Sequence, residues 1–178
     1  MKSYGIASVE EGRSILAKLG TPPRLLRHTV LVGEAADLLV DTLTKLGLPL
    51  DAHFVRLGVV FHDAGKIEHP EELARLGRDH EPSGQALLLA AGVDAALARC
   101  CISHARWADM EVSLEELVVA LADTLWKGKR NETLERRVVE GVATRLGRPL
   151  WDVFVPLDTL FEDIAAGGAG RLARSLEA

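Results

Sequence analysis

The side chains best suited to chemistry lie together in Phe61-His62-Asp63-Ala64-Gly65-Lys66, where the apolar run Phe54-Val55-Arg56-Leu57-Gly58-Val59-Val60 ends. Imidazole and carboxylate both ligate first-row metals, and the two oxygens of one aspartate can bridge two ions. A carboxylate at the end of a buried run is costly unless it is paired or holds a cation. Taken alone, a His-Asp pair is equally an ordinary polar helix end. Residues of the same type recur along the chain, and the candidate ligands in order are His28, His62, Asp63, His80, His104 and Asp123.

Helices must position them. Ser8-Val9-Glu10-Glu11 has the form of a capping box and opens a helix that Gly20 closes. Thr21-Pro22-Pro23 starts a long helix, on which Leu25, Thr29, Val32, Ala36, Leu39, Leu43 and Leu46 recur at steps of three or four. His28 falls on that apolar face. A third helix covers roughly residues 51–62, with Gly65 marking its stop, and residues 70–76 form a short helix or turn. Glu81-Pro82-Ser83 starts the next helix, running from Gln85 to Ala91 with His80 just before it. Another runs from Val93 to about His104. Ser113-Leu114-Glu115-Glu116 is a second capping box, opening the helix that carries Asp123. Asn131 caps a helix to Leu146, and Pro149 to Ala165 reads as the last. The Gly167-Gly168-Ala169-Gly170 stretch and the residues after it read as a mobile tail. With no alternating strand pattern, the fold class expected is all-α.

Composition narrows the function classes. The chain has 178 residues, enough for a proper core in one domain. A formal charge of −5 argues against a dedicated nucleic-acid binder, and 4% aromatic residues leave little surface for stacking bases. Cys100 and Cys101 are adjacent and suggest neither a disulfide framework nor a thiolate zinc site. No segment approaches a membrane span or a signal core, so a cytoplasmic protein is expected. A monomer and a homo-oligomer both stay open.

The ordered set His28, His62-Asp63, Asp123 resembles the HD-domain metal-dependent phosphohydrolase superfamily, whose pattern is His, then His-Asp, then a distant Asp. The resemblance covers about residues 21–130, and His62-Asp63-Ala64-Gly65-Lys66 matches the His-Asp-x-Gly-Lys form of several branches. It implies one HD-type domain over residues 1–178: a metal-binding core at about 21–130, C-terminal helices at 131–166 and the tail at 167–178. It also implies that His28, His62, Asp63 and Asp123 hold one ion, while His80 and His104 bind a second that Asp63 bridges. Small bacterial HD proteins that hydrolyse dinucleoside polyphosphates are similar, as is a branch of diiron oxygenases with the same ligands. No Gly-Tyr-Pro motif comes after the pair, unlike the response-regulator phosphodiesterases.

The resemblance therefore implies hydrolysis of a phosphate ester or anhydride of a nucleotide-like substrate by metal-bound hydroxide. Asp63 would bridge or orient the nucleophile, and Lys66 would stabilise phosphoryl charge. Mixed His/Asp ligation suits one or two ions of Fe, Mn, Co, Ni or Zn better than Mg. A diiron oxygenase, or a non-catalytic nucleotide sensor, is the alternative. Arg24 lies one turn before His28 and Lys127 one turn after Asp123, so both are candidate phosphate contacts, together with Arg130. Each is equally a solvated helix-end charge, and Lys66 equally a partner of its helix dipole. His53 lies on the opposite side of its helix from His62 and reads as a surface residue. His69 competes with His80 for the second ion, and the family pattern favours His80. Trp107 is either a stacking surface or core, and Cys100 reads as a buried, inert thiol.

Overall fold

A computed structural model of the chain describes residues 4–176 and is all-α, with no strand among them. In α1 (Val9–Lys18) the Ser8 hydroxyl accepts from the Glu11 N–H at 3.1 Å. Helix α2 (Pro23–Lys45) starts on Pro23, whose missing N–H costs nothing in a first turn. Its predicted stripe is buried from Leu25 to Leu43, and Leu46, just past the helix, is partly buried against the core.

Helix α3 (Ala52–Phe61) organises the interior. Val55 and Val59 join one apolar cluster, built with α2, α7 (Leu114–Leu125), α8 (Glu132–Leu146) and α9 (Leu150–Ala166). Phe54, Leu57, Val60 and Phe61 join a second, with α1, α4 (His80–Ala90), α5 (Ala95–Ala98) and α6 (Cys100–Arg106). A helix covered on both sides has to be apolar nearly all round, which is what the run before His62 supplies. Gly58 permits a close crossing, since a Cβ there would lie 2.8 Å from Val119 Cγ2 and 3.1 Å from Cys100 Sγ. The helix end consequently emerges inside the protein, leaving His62 0% and Asp63 3% exposed.

Three expectations are corrected. Helix α4 begins at His80 itself, with Pro82 accommodated in its first turn. The helix expected from Val93 to His104 is jointed at Arg99, with Asp94 capping α5 through the Ala96 N–H at 2.8 Å. The glycine-rich stretch expected to open a mobile tail forms α10 (Gly168–Ser175); residues 177 and 178 of that tail lie outside the described residues. Gly168 meets Gly128 backbone to backbone, where a Cβ has no room. Buried Arg171 holds the helix down by donating to the Trp126 carbonyl at 2.7 Å, the Leu125 carbonyl at 3.3 Å and the Ile164 carbonyl. Among the described residues no helix is long and apolar enough to cross a membrane.

Candidate metal centre

Four helices converge on the end of α3. His28 comes from α2, His80 from the first residue of α4, His104 from α6 and Asp123 from the last turn of α7. Asp63 Oδ2 lies 3.1 Å from His28 Nε2 and 3.5 Å from His62 Nε2. Asp123 Oδ1 closes that group at 3.5 Å from His62 Nε2 and 3.7 Å from His28 Nε2. The other oxygen, Asp63 Oδ1, faces His80 Nε2 at 3.3 Å and His104 Nε2 at 3.7 Å. One carboxylate thus divides two histidine groups, one oxygen to each.

The imidazoles are oriented from behind. His62 Nδ1 donates to the Val59 carbonyl at 2.7 Å and His104 Nδ1 to the Cys100 carbonyl at 2.9 Å. His80 Nδ1 donates to Glu72. A carbonyl can only accept, so in neutral His62 and His104 the Nε2 lone pair points into the site. His28 Nε2 and His62 Nε2 are only 3.2 Å apart, a contact that calls for a cation or proton between them. Asp63 Oδ1 and His80 Nε2 are buried without a hydrogen-bond partner. Facing orphans of this kind are costly unless something bridges them, so the donor set fits divalent ions. His28, His62 and Asp63 offer donor atoms within 4.8 Å of one another, as do Asp63, His80 and His104.

Burial lowers the pKa of His62 and His80, but Asp63 and the other carboxylates beside them more than restore it, so imidazoles and carboxylates hold one another's charge. Burial opposes the charge of Asp63, yet His62, His28 and His80 hold its carboxyl well below the usual range. Burial is likewise outweighed at Asp123 by His62 and Lys127. The His104 imidazole is pushed down to about 4 by burial and by neighbouring His62, which keeps it neutral and able to ligate.

Gly65 has a different role from the helix stop expected of it. The 3-10 turn Ala64–Ile67 lies against α4, and a Cβ on Gly65 would sit 2.6 Å from Gly84 N and closer still to the His80 carbonyl. A Cβ on Gly84 would in turn lie 2.6 Å from Gly65 N and 3.0 Å from Cys101 Sγ. The two glycines let backbone touch backbone, and this contact brings His80 to Asp63. Lys66, at the end of the same turn, donates to Asp63 Oδ2 at 2.6 Å. A carboxylate oxygen has two lone pairs, so this bond leaves one facing His28 and His62.

A hollow of about 280 Å³ opens over the site. Arg24, Lys66 and Lys127 line it, and Lys127 lies 3.3 Å from Asp123. Arg130 does not reach it. Gly128, with φ +78°, turns the chain away, and Arg130 forks onto Glu135 at 2.7 and 2.8 Å and onto Asp158 at 2.6 Å. His53 is half-buried rather than a surface residue, bonded to the Ile6 carbonyl at 2.8 Å. His69 lies 3.7 Å from Glu71, and His80 is the histidine that faces Asp63. Trp107 packs against the core under the Arg137 guanidinium, 5.7 Å from its ring centre. Both cysteines are buried free thiols whose pKa burial pushes up.

Sequence reasoning missed three residues. The Glu72 side chain, 6% exposed, accepts from His80 Nδ1 and from the Asp79 N–H, the latter at 3.2 Å. No spacing rule announces it, because it lies on a single 3-10 turn, Pro70–Leu73, too short for a periodic pattern. Arg75 lines the hollow from the turn that follows Pro70–Leu73. Trp126 packs edge-on to His28 at 4.9 Å and donates to Asp123 Oδ1 at 3.2 Å; its place three residues after Asp123 was the available signal.

An all-α chain with buried His/Asp groups around a shared carboxylate defines a helical protein equipped to bind metal. Compared with models of known families, residues 25–126, more than half of the chain, match the HD domain, and the chain belongs to that family. The matched span contains all six candidate ligands. HD domains bind divalent metals, and the family consists mostly of phosphohydrolases. No curated protein and no solved structure matches the chain.

Proposed function

We propose that the protein is a metal-dependent phosphohydrolase acting on a phosphate ester or anhydride of a nucleotide-like substrate. The division of Asp63 between two histidine groups carries this reading. His28, His62, Asp63 and Asp123 would hold one divalent ion, and Asp63, His80 and His104 a second. Such ions supply Lewis acidity and a nucleophile at neutral pH. Asp63 fixes the two positions relative to each other. Lys66 holds a positive charge at the floor of the hollow, where phosphoryl charge develops. Glu72 holds His80 in the tautomer that presents Nε2.

Hydrolysis needs no redox change, whereas oxygen activation on the same ligands needs electrons from iron. Apo-protein reconstituted with Mn, Co or Ni is therefore expected to release phosphate or nucleotide under strict anaerobiosis, at a rate that air does not alter. A screen of mononucleotides, cyclic nucleotides and dinucleoside polyphosphates measures this. Activity only with iron, and only while oxygen is consumed, would overturn the reading in favour of an oxygenase. Binding of nucleotide without turnover by any metal form would make the protein a sensor.

Two substitutions test individual roles. Lys66→Met should lower kcat and kcat/KM together, by about 10²–10³-fold, on the scale of one lost electrostatic donor. Metal content should stay normal, and an unchanged kcat would reduce Lys66 to a structural ion pair. Glu72→Ala should weaken the ion between Asp63, His80 and His104 by about 10–100-fold. Metal titration showing both ions weakened equally would count against Glu72 acting through His80.

A further inference from the structure

The mouth of the hollow carries charge that the ligands leave unused, and its interpretation rests on the hydrolase reading. Lys66 and Lys127 are each paired with an aspartate of the site. Arg24, in the first turn of α2, and Arg75, in the turn after Pro70–Leu73, line the same hollow. Both are exposed, and neither has an ion-pair or hydrogen-bond partner for its side chain among the described residues. The chain as a whole is negative, at −5, so a basic mouth is a local arrangement.

A charge count shows what that arrangement suits. Two divalent ions bring four positive charges, and the carboxylates of Asp63, Asp123 and Glu72 remove three. With the histidines neutral, the two lysines and two arginines add four, leaving five. A phosphomonoester dianion and a hydroxide nucleophile offset three. One more phosphoryl group in an anhydride adds a single negative charge, which brings the sum closer to neutrality than a monoester does, and the planar fork of arginine is suited to gripping that group bidentately.

We propose that Arg24 and Arg75 form a subsite for a second phosphoryl group, so that the substrate is a phosphoanhydride rather than a simple monoester. Water adds its oxygen to the attacked phosphorus, and the bridging P–O bond breaks with its electron pair on the departing phosphate. The two protons of the water pass to the products or to solvent. Arg24 and Arg75 hold the departing group, whose negative charge grows as that bond breaks. The hollow, at about 280 Å³, has room for two adjacent phosphoryl groups.

The test is titration calorimetry on Mn-loaded protein with two non-hydrolysable probes, methylenebisphosphonate and methylphosphonate. Wild type should bind the bisphosphonate more tightly. Arg24→Ala and Arg75→Ala should each weaken the bisphosphonate roughly tenfold, the loss of one charge-assisted contact, and leave methylphosphonate within about twofold. Metal content should not change. Arg78→Ala, an exposed arginine outside the hollow, should bind both probes as wild type does. Equal losses for both probes, a bisphosphonate preference untouched by either substitution, or the same loss in Arg78→Ala would overturn the subsite. Turnover separates the two proposals. Monoesters cleaved as fast as anhydrides by wild type would overturn this inference and leave the hydrolase standing; failure of every metal form on every phosphate compound would remove the hydrolase and the subsite with it.

Discussion

Asp63→Ala is expected to lose both ions and all turnover. The other five ligands remain in that variant, but each group loses the oxygen that faces it, Oδ2 on one side and Oδ1 on the other. The balance of charge also turns against cations, since Lys66 loses the carboxylate it donates to at 2.6 Å. His80→Ala and His104→Ala remove ligands from one group only and should each lose one ion. Elemental analysis of protein purified without added metal measures this, with circular dichroism to confirm that the helices persist. Unchanged metal content in Asp63→Ala would refute the assignment of the site.

Gly65→Ala should be the most damaging change outside the ligands. Its Cβ would enter the backbone of α4, 2.6 Å from Gly84 N and nearer to the His80 carbonyl. Backbone cannot rotate aside as a side chain can, so the 3-10 turn has to move off the helix. Overpacking usually costs about 1–3 kcal/mol, and a main-chain collision belongs at or above the top of that range. The displacement also separates Asp63 from His80, and a shift of about 1 Å at a reacting centre is worth about 10²-fold in rate. A lower denaturation midpoint together with loss of the ion at His80 is the expected pair of results. A variant as stable as wild type, with full metal content, would show that the turn has room to spare.

Much of this was legible in the chain, for physical reasons. The stripe on α2 and the caps at Ser8, Ser113 and Asn131 are local patterns, and they formed where the spacing put them. The four histidines and two aspartates that converge on the end of α3 were legible as a set because their types recur in order on successive helices. What could not be read depended on contacts distant in sequence. Three glycines in four residues argue against a helix, yet burial of Arg171 and the Gly128–Gly168 contact form α10. Glu72 is placed by one 3-10 turn, too short for any periodicity to show which way it faces. Arg130 was grouped with Lys127 by nearness in the chain, and one glycine at positive φ separated them.

The supports behind the three histidines differ in how they are encoded. The partners of His62 and His104 are main-chain carbonyls of their own helical turns, Val59 and Cys100. Every amino acid supplies a main-chain carbonyl, so these two imidazoles stay aimed through most sequence drift. His80 is aimed by a side chain, and Glu72 can be lost in one mutation without touching any ligand. If the protein holds two ions as proposed, the two positions therefore have unequal evolutionary durability. Among descendants of this chain, one-metal forms should arise first by change at residue 72, with all six ligand positions still intact.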